Sequence, residues 1–332
     1  MRVSGIGKRA GWVTVWWAAA VALLLAAAPA ANPLQQAQQL VEWGRLKEAR
    51  QLVATAVAQP ENKDNAELLA YYGHLQAEFD DLKSASDLTR QAIKMDPDCA
   101  PCHLYRFESL ARRAETMNQF RAMMQLHGIK HELETAEQLD PKLGDVQWGW
   151  IRLDLTLPAA VGGSTSDAYK HADRLAALDP VDGHLARASI AEDSKDPTRA
   201  LNEYRAAAHD FPQDPRGVFA LGKALFLRQD YAGAAGPLER AWEMNHQSVL
   251  YGAYHAANLV QLRQPQAART VLEAAQKIHS DSRLGDYLTA QALLATGQDT
   301  PWARALLERY LAVPPEPNQP TAAAARQLLS TS

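Results

Sequence analysis

Residues 218–241 read VFALGKALFLRQDYAGAAGPLERA, and the spacing of their large and small residues decides the fold. Val218, Leu221 and Leu225 fall on one face of a helix, where residues three and four apart are neighbours, and Leu238 presents an apolar side chain from a second helix. Gly222 marks a point where two antiparallel helices approach too closely for a side chain. Ala234 is the small residue expected to face it, and Ala241 lies one helical face further along, where the next unit docks. These residues pack; they do no chemistry.

The frame recurs with drift. Residues 66–97 supply Tyr72-Gly73, Ala85, Ala92 and a closing Pro97, which cannot continue a helix because it lacks an N–H and clashes with the preceding turn. Residues 249–280 supply Ala256, Ala268 and Ala275, and residues 183–212 supply Ala200, Ala207 and Pro212. Residues 34–60 give Ala37, Gly44, Ala49, Ala56 and Pro60; residues 283–314 give Ala290, Gly297, Ala305, Ala312 and Pro314. Pro97 to Pro141 and Pro141 to Pro180 are both over-long, so each is expected to carry an insertion at its inter-helix turn. This pattern resembles the tetratricopeptide repeat, a helix pair of about 34 residues. The resemblance implies an all-α, right-handed superhelical solenoid of about eight helix pairs.

No segment alternates apolar and polar residues in the manner of a strand, whereas Ala234–Met244 and Ala267–Ile278 keep apolar residues at helical spacing. The 332 residues would ordinarily suggest two globular domains, but a solenoid grows by stacking and needs no second core. One continuous array over 31–315 is predicted. It is closed by residues 316–332, where the stiff Glu316-Pro317-Asn318-Gln319-Pro320 precedes a capping helix over Thr321 to Leu329.

At the other end, Arg2, Lys8 and Arg9 precede an apolar stretch from Trp12 to Ala28, followed by Ala28-Pro29-Ala30. That is the form of a secretory signal peptide over 1–30, with cleavage after Ala30, although an uncleaved anchor reads similarly. The expected location is periplasmic, with no membrane insertion after cleavage. Formal charge is −4, or −7 without the three cations of that segment. An acidic chain with no Lys/Arg cluster offers no footprint for nucleic acid.

The sharpest local motif is Cys99-Ala100-Pro101-Cys102-His103, formed by the only two cysteines. Three readings apply: structural cysteines, free or bridged; a thiol redox pair at a helix N-terminus; and a c-type haem attachment site with His103 as iron ligand. The repeat frame places Pro101 in a first helical turn, and Cys102 and His103 toward the core, which favours a structural role and no cofactor. His127 and His131 sit one turn apart, but Gly128 stands where a zincin helix has glutamate, so no metal site is expected and a solvated face is the better reading. The loop Pro158 to Ser164 lacks a nucleophile elbow, and Ser164 with Asp167 suits a helix cap.

Gly162-Gly163-Ser164, Asp179-Pro180 and Gly183-His184 are also similar to features of exported bacterial tetratricopeptide proteins with a Gly-Gly-Ser insertion between the helices of one repeat. That likeness covers about residues 90–215. It implies an exported scaffold near an envelope transport or assembly system, and no catalytic residue.

In such an array the first helices of the pairs line the concave wall. The frame projects Arg216, Phe219, Lys223, Phe226, Tyr254, Val260 and Tyr287 onto it as candidate partner-binding residues, or else buries several of them between repeats. Aromatic and basic side chains together suit a peptide with acidic ends. Ala70 and His74 stand where chaperone-binding repeats carry a Lys/Asn clamp, which disfavours a terminal carboxylate ligand. The function expected is a non-enzymatic scaffold holding a protein or peptide, with a redox or haem protein as the alternative and a membrane-tethered assembly factor as a third class.

Overall fold

The computed structural model describes residues 32–279 and 282–330; the predicted signal segment lies outside the described residues. Helices form eight consecutive pairs. They are α1 (Pro33–Glu42) with α2 (Leu46–Val57), α3 (Ala66–Glu78) with α4 (Leu82–Met95), α5 (Ala100–Glu115) with α6 (Gln119–Leu139), and α7 (Gly144–Thr156) with α8 (Thr165–Leu178). The second half adds α9 (Pro180–Asp193) with α10 (Pro197–Asp210), α11 (Pro215–Leu227) with α12 (Tyr231–Met244), α13 (Val249–Gln261) with α14 (Pro265–Ile278), and α15 (Leu284–Thr296) with α16 (Thr300–Leu311). A last helix, α17 (Ala322–Ser330), follows, and no strand occurs among the described residues. The fold is an all-α superhelical solenoid.

Local sequence starts and stops these helices. Asn65, Asp81, Asp196 and Asp230 each accept a hydrogen bond from the backbone N–H three residues on, satisfying a donor that the first turn leaves unpaired. Asp-Pro pairs open α9, α10 and α11, with the aspartate as cap and proline at the first position, where its missing N–H costs nothing. The turn between paired helices has its own signature, a residue in the left-handed region. It recurs at Lys195, Gln229, Arg263 and Gly297, each 34 residues after the last, and also at Gly44 and Asp80. The tertiary docking of each pair thus imposes one turn conformation on lysine, glutamine and arginine, which do not favour it.

The two over-long repeats depart from that pattern, in different ways. Between α7 and α8 the expected insertion is present, as a short 3-10 turn (Ala159–Val161) and the glycines that follow. Gly162 has φ 99°, and a Cβ on Gly163 would lie 1.7 Å from the Leu157 carbonyl oxygen, so neither tolerates a side chain. Between α5 and α6 there is no insertion. The extra residues lengthen the helices to 16 and 21 residues, leaving only Thr116 to Asn118 between them. Proline spacing measures residues added, not whether a helix absorbs them.

Ala85, Ala92, Ala207, Ala234, Ala241 and Ala268 are essentially fully buried. Gly222 is a close-approach point, but the atoms a Cβ would strike belong to Leu238, at 2.8 Å, rather than to Ala234. In the last pair the frame slips. Gln298 adds a residue before the cap Asp299, so Ala303 is buried and the expected Ala305 is exposed.

The array curls until its ends meet. Val249 N–H donates to the Trp43 carbonyl (2.9 Å), Arg45 to the Gln247 side chain (3.2 Å), and Lys47 Nζ to the Pro314 carbonyl. Helix α2 starts at Arg45, which offers no side-chain cap. Glu316, 3% exposed, supplies one from the far end of the chain by accepting the N–H of Leu46 at 3.0 Å and of Lys47 at 3.5 Å. The 316–320 segment is therefore a latch between the termini as well as a stiff turn. Beyond it, Ala325 is buried and Leu328 and Leu329 pack on the last pair.

Candidate functional site

Closure turns the concave face into a lumen lined by the first helix of each of the first seven pairs. Tyr71 and His74 come from α3, Tyr105 and Glu108 from α5, Asp145 from α7, Asp182 from α9, Arg216 and Phe219 from α11, and Tyr251 and Tyr254 from α13; Glu42 of α1 faces Arg216 across the closure. Phe219 stacks on Tyr251, with ring centroids 4.4 Å apart, and Tyr254 meets both Phe219 and Phe226 edge-on. Phe219, Lys223 and Tyr251 line a recess of about 350 Å³ together with Glu42 and Leu227. Lys223 Nζ also lies 5.8 Å from the centre of the Tyr254 ring.

Arg216 is not a free cation. Its guanidinium donates to Asp179 and Asp182, each at 2.9 Å, and to Asp214 at 2.7 Å. The Asp214 hydrogen bond first, then those of Asp179 and the charge of Asp182, hold its pKa above the ordinary arginine value against burial. Across the lumen, His74 Nδ1 lies 2.6 Å from Glu108 Oε2. Burial alone would lower the His74 pKa, but the charge and hydrogen bond of Glu108, with Glu78 and Asp145, raise it. The carboxyls of Glu42, Asp145 and Asp182 are pushed up, by the surrounding protein first, and in each case the charge of another lumen carboxylate adds to it. Asp182 reaches about 6. Glu42 and Asp145 are nevertheless open to solvent, as expected for groups facing an enclosed, water-accessible space.

Two of the proposed wall residues lie elsewhere. Val260 is 0% exposed, six residues after Tyr254 and so about 120° around the helix, in the seam between repeats. Tyr287 is buried toward its partner helix, its ring 5.2 Å from Tyr310. The acidic residues on the same wall were missed. Taken singly each resembles a solvated helix face, and only curvature brings them together.

Cys99 and Cys102 form a disulfide at the start of α5, with Cα atoms 5.3 Å apart, and the Cys99 sulfur accepts the Cys102 N–H at 3.2 Å. Both ring nitrogens of His103 are engaged, Nδ1 with Glu132 at 2.7 Å and Nε2 with the Pro97 carbonyl at 3.0 Å. This arrangement presents neither thiols nor an imidazole to a haem. His127 and His131 are exposed on α6, and among the described residues no group of three or more His, Cys, Asp or Glu is placed to hold a metal ion. No described helix is long and apolar enough to cross a membrane. A second recess, of about 240 Å³ and largely apolar, lies between α5, α6 and α7, with Phe107, Met123, Leu126 and Leu153 in its lining. Helix α6 also exposes Phe120 and Met124, at 75% and 70%.

Fold and wall together define a tetratricopeptide-type α-solenoid with an enclosed concave face. No protein-family model and no curated protein matches the sequence. Among solved structures, yeast Tom70 superposes with a TM-score of 0.62 at 17% identity, covering 87% of this chain and 58% of the Tom70 chain. The chain thus spans less than two thirds of that protein. A thermophilic tetratricopeptide protein of Thermus thermophilus matches with a TM-score of 0.49 at 20% identity, over 59% of this chain and 98% of that one. At such identities the likeness to Tom70 establishes the fold alone.

Proposed function

We propose that the protein is a non-enzymatic scaffold of the bacterial periplasm or cell envelope that holds a segment of a protein or peptide partner on its concave face. The observation that carries this reading is the convergence of first-helix side chains from seven repeats on one lumen, with the aromatic ladder Phe219–Tyr251–Tyr254 exposing a recess beside Leu227. Clustered aromatics supply contact area at low entropic cost and are typical binding anchors. Export is supported by the N-terminal sequence and by the Cys99–Cys102 bond, since disulfides persist in oxidising compartments. The likeness of the 162–164 loop and its flanks to exported repeat proteins points the same way.

The same disulfide favours a second reading, a redox pair at a helix N-terminus. Capture from envelope extract, followed by mass spectrometry, separates the two. Phe219→Ala with Leu227→Ala should weaken capture by about 2 kcal/mol or more, while Cys99→Ser with Cys102→Ser keeps it. The reverse pattern would replace the scaffold reading with the redox one.

A further inference from the structure

The charge of the lumen is opposite to what its sequence suggested. Arg216, His74 and Lys223 are the cations on its wall, and the first two are matched or overmatched: Arg216 by Asp179, Asp182 and Asp214, His74 by Glu108. Among the described residues, Glu42 and Asp145 have no cation of their own within ion-pair distance. Lys223 lines the recess that Glu42 shares, its Nζ 5.8 Å from the centre of the Tyr254 ring, and the carboxylates still outnumber the three cations. The net field is negative, and it is concentrated where low-dielectric walls surround a narrow aqueous space, a geometry that attracts counter-ions strongly.

A second observation is independent of that charge count. Tyr71 is only 3% exposed, its ring 5.5 Å from His74 and 5.3 Å from Tyr105, and its hydroxyl has no hydrogen-bond partner among the described residues. The Tyr105 hydroxyl, by contrast, is reached by Gln38 Nε2 at 3.4 Å. Burial first, then the charges of Glu108, Glu42 and Asp145, oppose ionisation of the Tyr71 phenol, so the hydroxyl shares the space those carboxylates face. The hydroxyl is open to a donor that enters that space.

We infer that the lumen is a receptor for a cationic peptide segment, with Glu42 and Asp145 taking its lysine or arginine side chains and Tyr71 completing the contact. This rests on the scaffold reading and adds the chemistry of the partner. A peptide fits better than a lone cation because the carboxylates are spread over α1, α5, α7 and α9, so they address several charges along one chain. Seating such a segment relieves the mutual repulsion that raises the Glu42, Asp145 and Asp182 carboxyls.

The test is fluorescence anisotropy with dye-labelled (Lys-Ala)6 and (Glu-Ala)6 peptides on the purified full chain at low salt. (Lys-Ala)6 should bind, and Glu42→Gln with Asp145→Asn should weaken it roughly tenfold or more. Tyr71→Phe, which removes only the hydroxyl, should also weaken it. Glu61→Gln with Asp64→Asn makes the same change of charge at exposed sites on and just after the 3-10 turn that follows α2, and should leave affinity within about twofold. Circular dichroism and melting confirm that each variant is folded.

Equal losses in the lumen and control variants, or no loss in the lumen variant, would overturn the inference. So would displacement of the peptide by an equal concentration of spermidine, which would assign the site to a free polyamine. Binding of (Glu-Ala)6 instead, or capture of an envelope partner without binding of either peptide, overturns the cationic assignment while leaving the scaffold reading in place.

Discussion

At Asp154 the physical chemistry of one buried carboxyl becomes measurable. Its side chain is 11% exposed and its Oδ2 has no hydrogen-bond partner among the described residues. Burial, with the Asp167 charge adding to it, pushes the carboxyl up to about 6. A raised pKa means that the native state holds its proton more tightly than the unfolded chain. The associated stability is complete below the ordinary carboxylate range and is lost as pH rises through about 6. Asp154→Asn should therefore melt above wild type at pH near 7.5 and close to it near pH 4.5; parallel melting curves at the two pH values would refute this. At the start of α5, Cys99 serves as a helix cap as well as a disulfide partner. Cys99→Ser with Cys102→Ser keeps an acceptor at the cap and loses a very short loop closure, so chemical denaturation should show a cost of roughly 2 kcal/mol or less.

Among the elements, the pairing of α11 and α12 is tightly specified. Ala234 is 0% exposed and Gly222 has Leu238 against it, so neither position has room for added atoms. Ala234→Leu should destabilise the array by roughly 1–3 kcal/mol through overpacking, seen as a lower melting temperature, whereas Ala305→Leu on exposed α16 surface should change little. An unchanged melt for Ala234→Leu would mean that the packing slot is elsewhere. The α5–α6 pair shows the limit of reading elements from punctuation. Its boundaries carry the same signals as the others, yet both helices run on past the standard length, leaving Phe120 and Met124 exposed.

At the scale of the molecule, closure depends on a contact across the whole chain. Glu316 caps α2 from 270 residues away, placing a carboxylate at the positive end of a helix that has no cap of its own. Glu316→Ala should cost on the order of 1–3 kcal/mol and speed hydrogen exchange at the amides of Leu46, Lys47 and Val249, which lie at the junction. Unaltered protection at all three would show that the ends stay joined without it. An opened ring would also separate Glu42 from Arg216 and widen the lumen.

The repeating part of this structure was legible because it is local. Helix pairs, their caps and their small-residue contacts depend on neighbours within about 34 residues, and Gly222, Ala241 and the Asp-Pro pairs carry that information in their own spacing. The final helix at Ala322–Ser330 was visible for the same reason. The site was legible only in part: the first helices do line the wall, but Val260 and Tyr287 face the core, and the acidic lining went unseen. A frame that drifts by one residue turns a side chain by about 100°, and the position of Glu42 opposite Arg216, or of Glu316 on α2, is the sum of small rotations over every repeat between them. Sequence alone determined the unit and its stacking. Only the tertiary structure decided that the stack closes, and with it the sign of the charge inside.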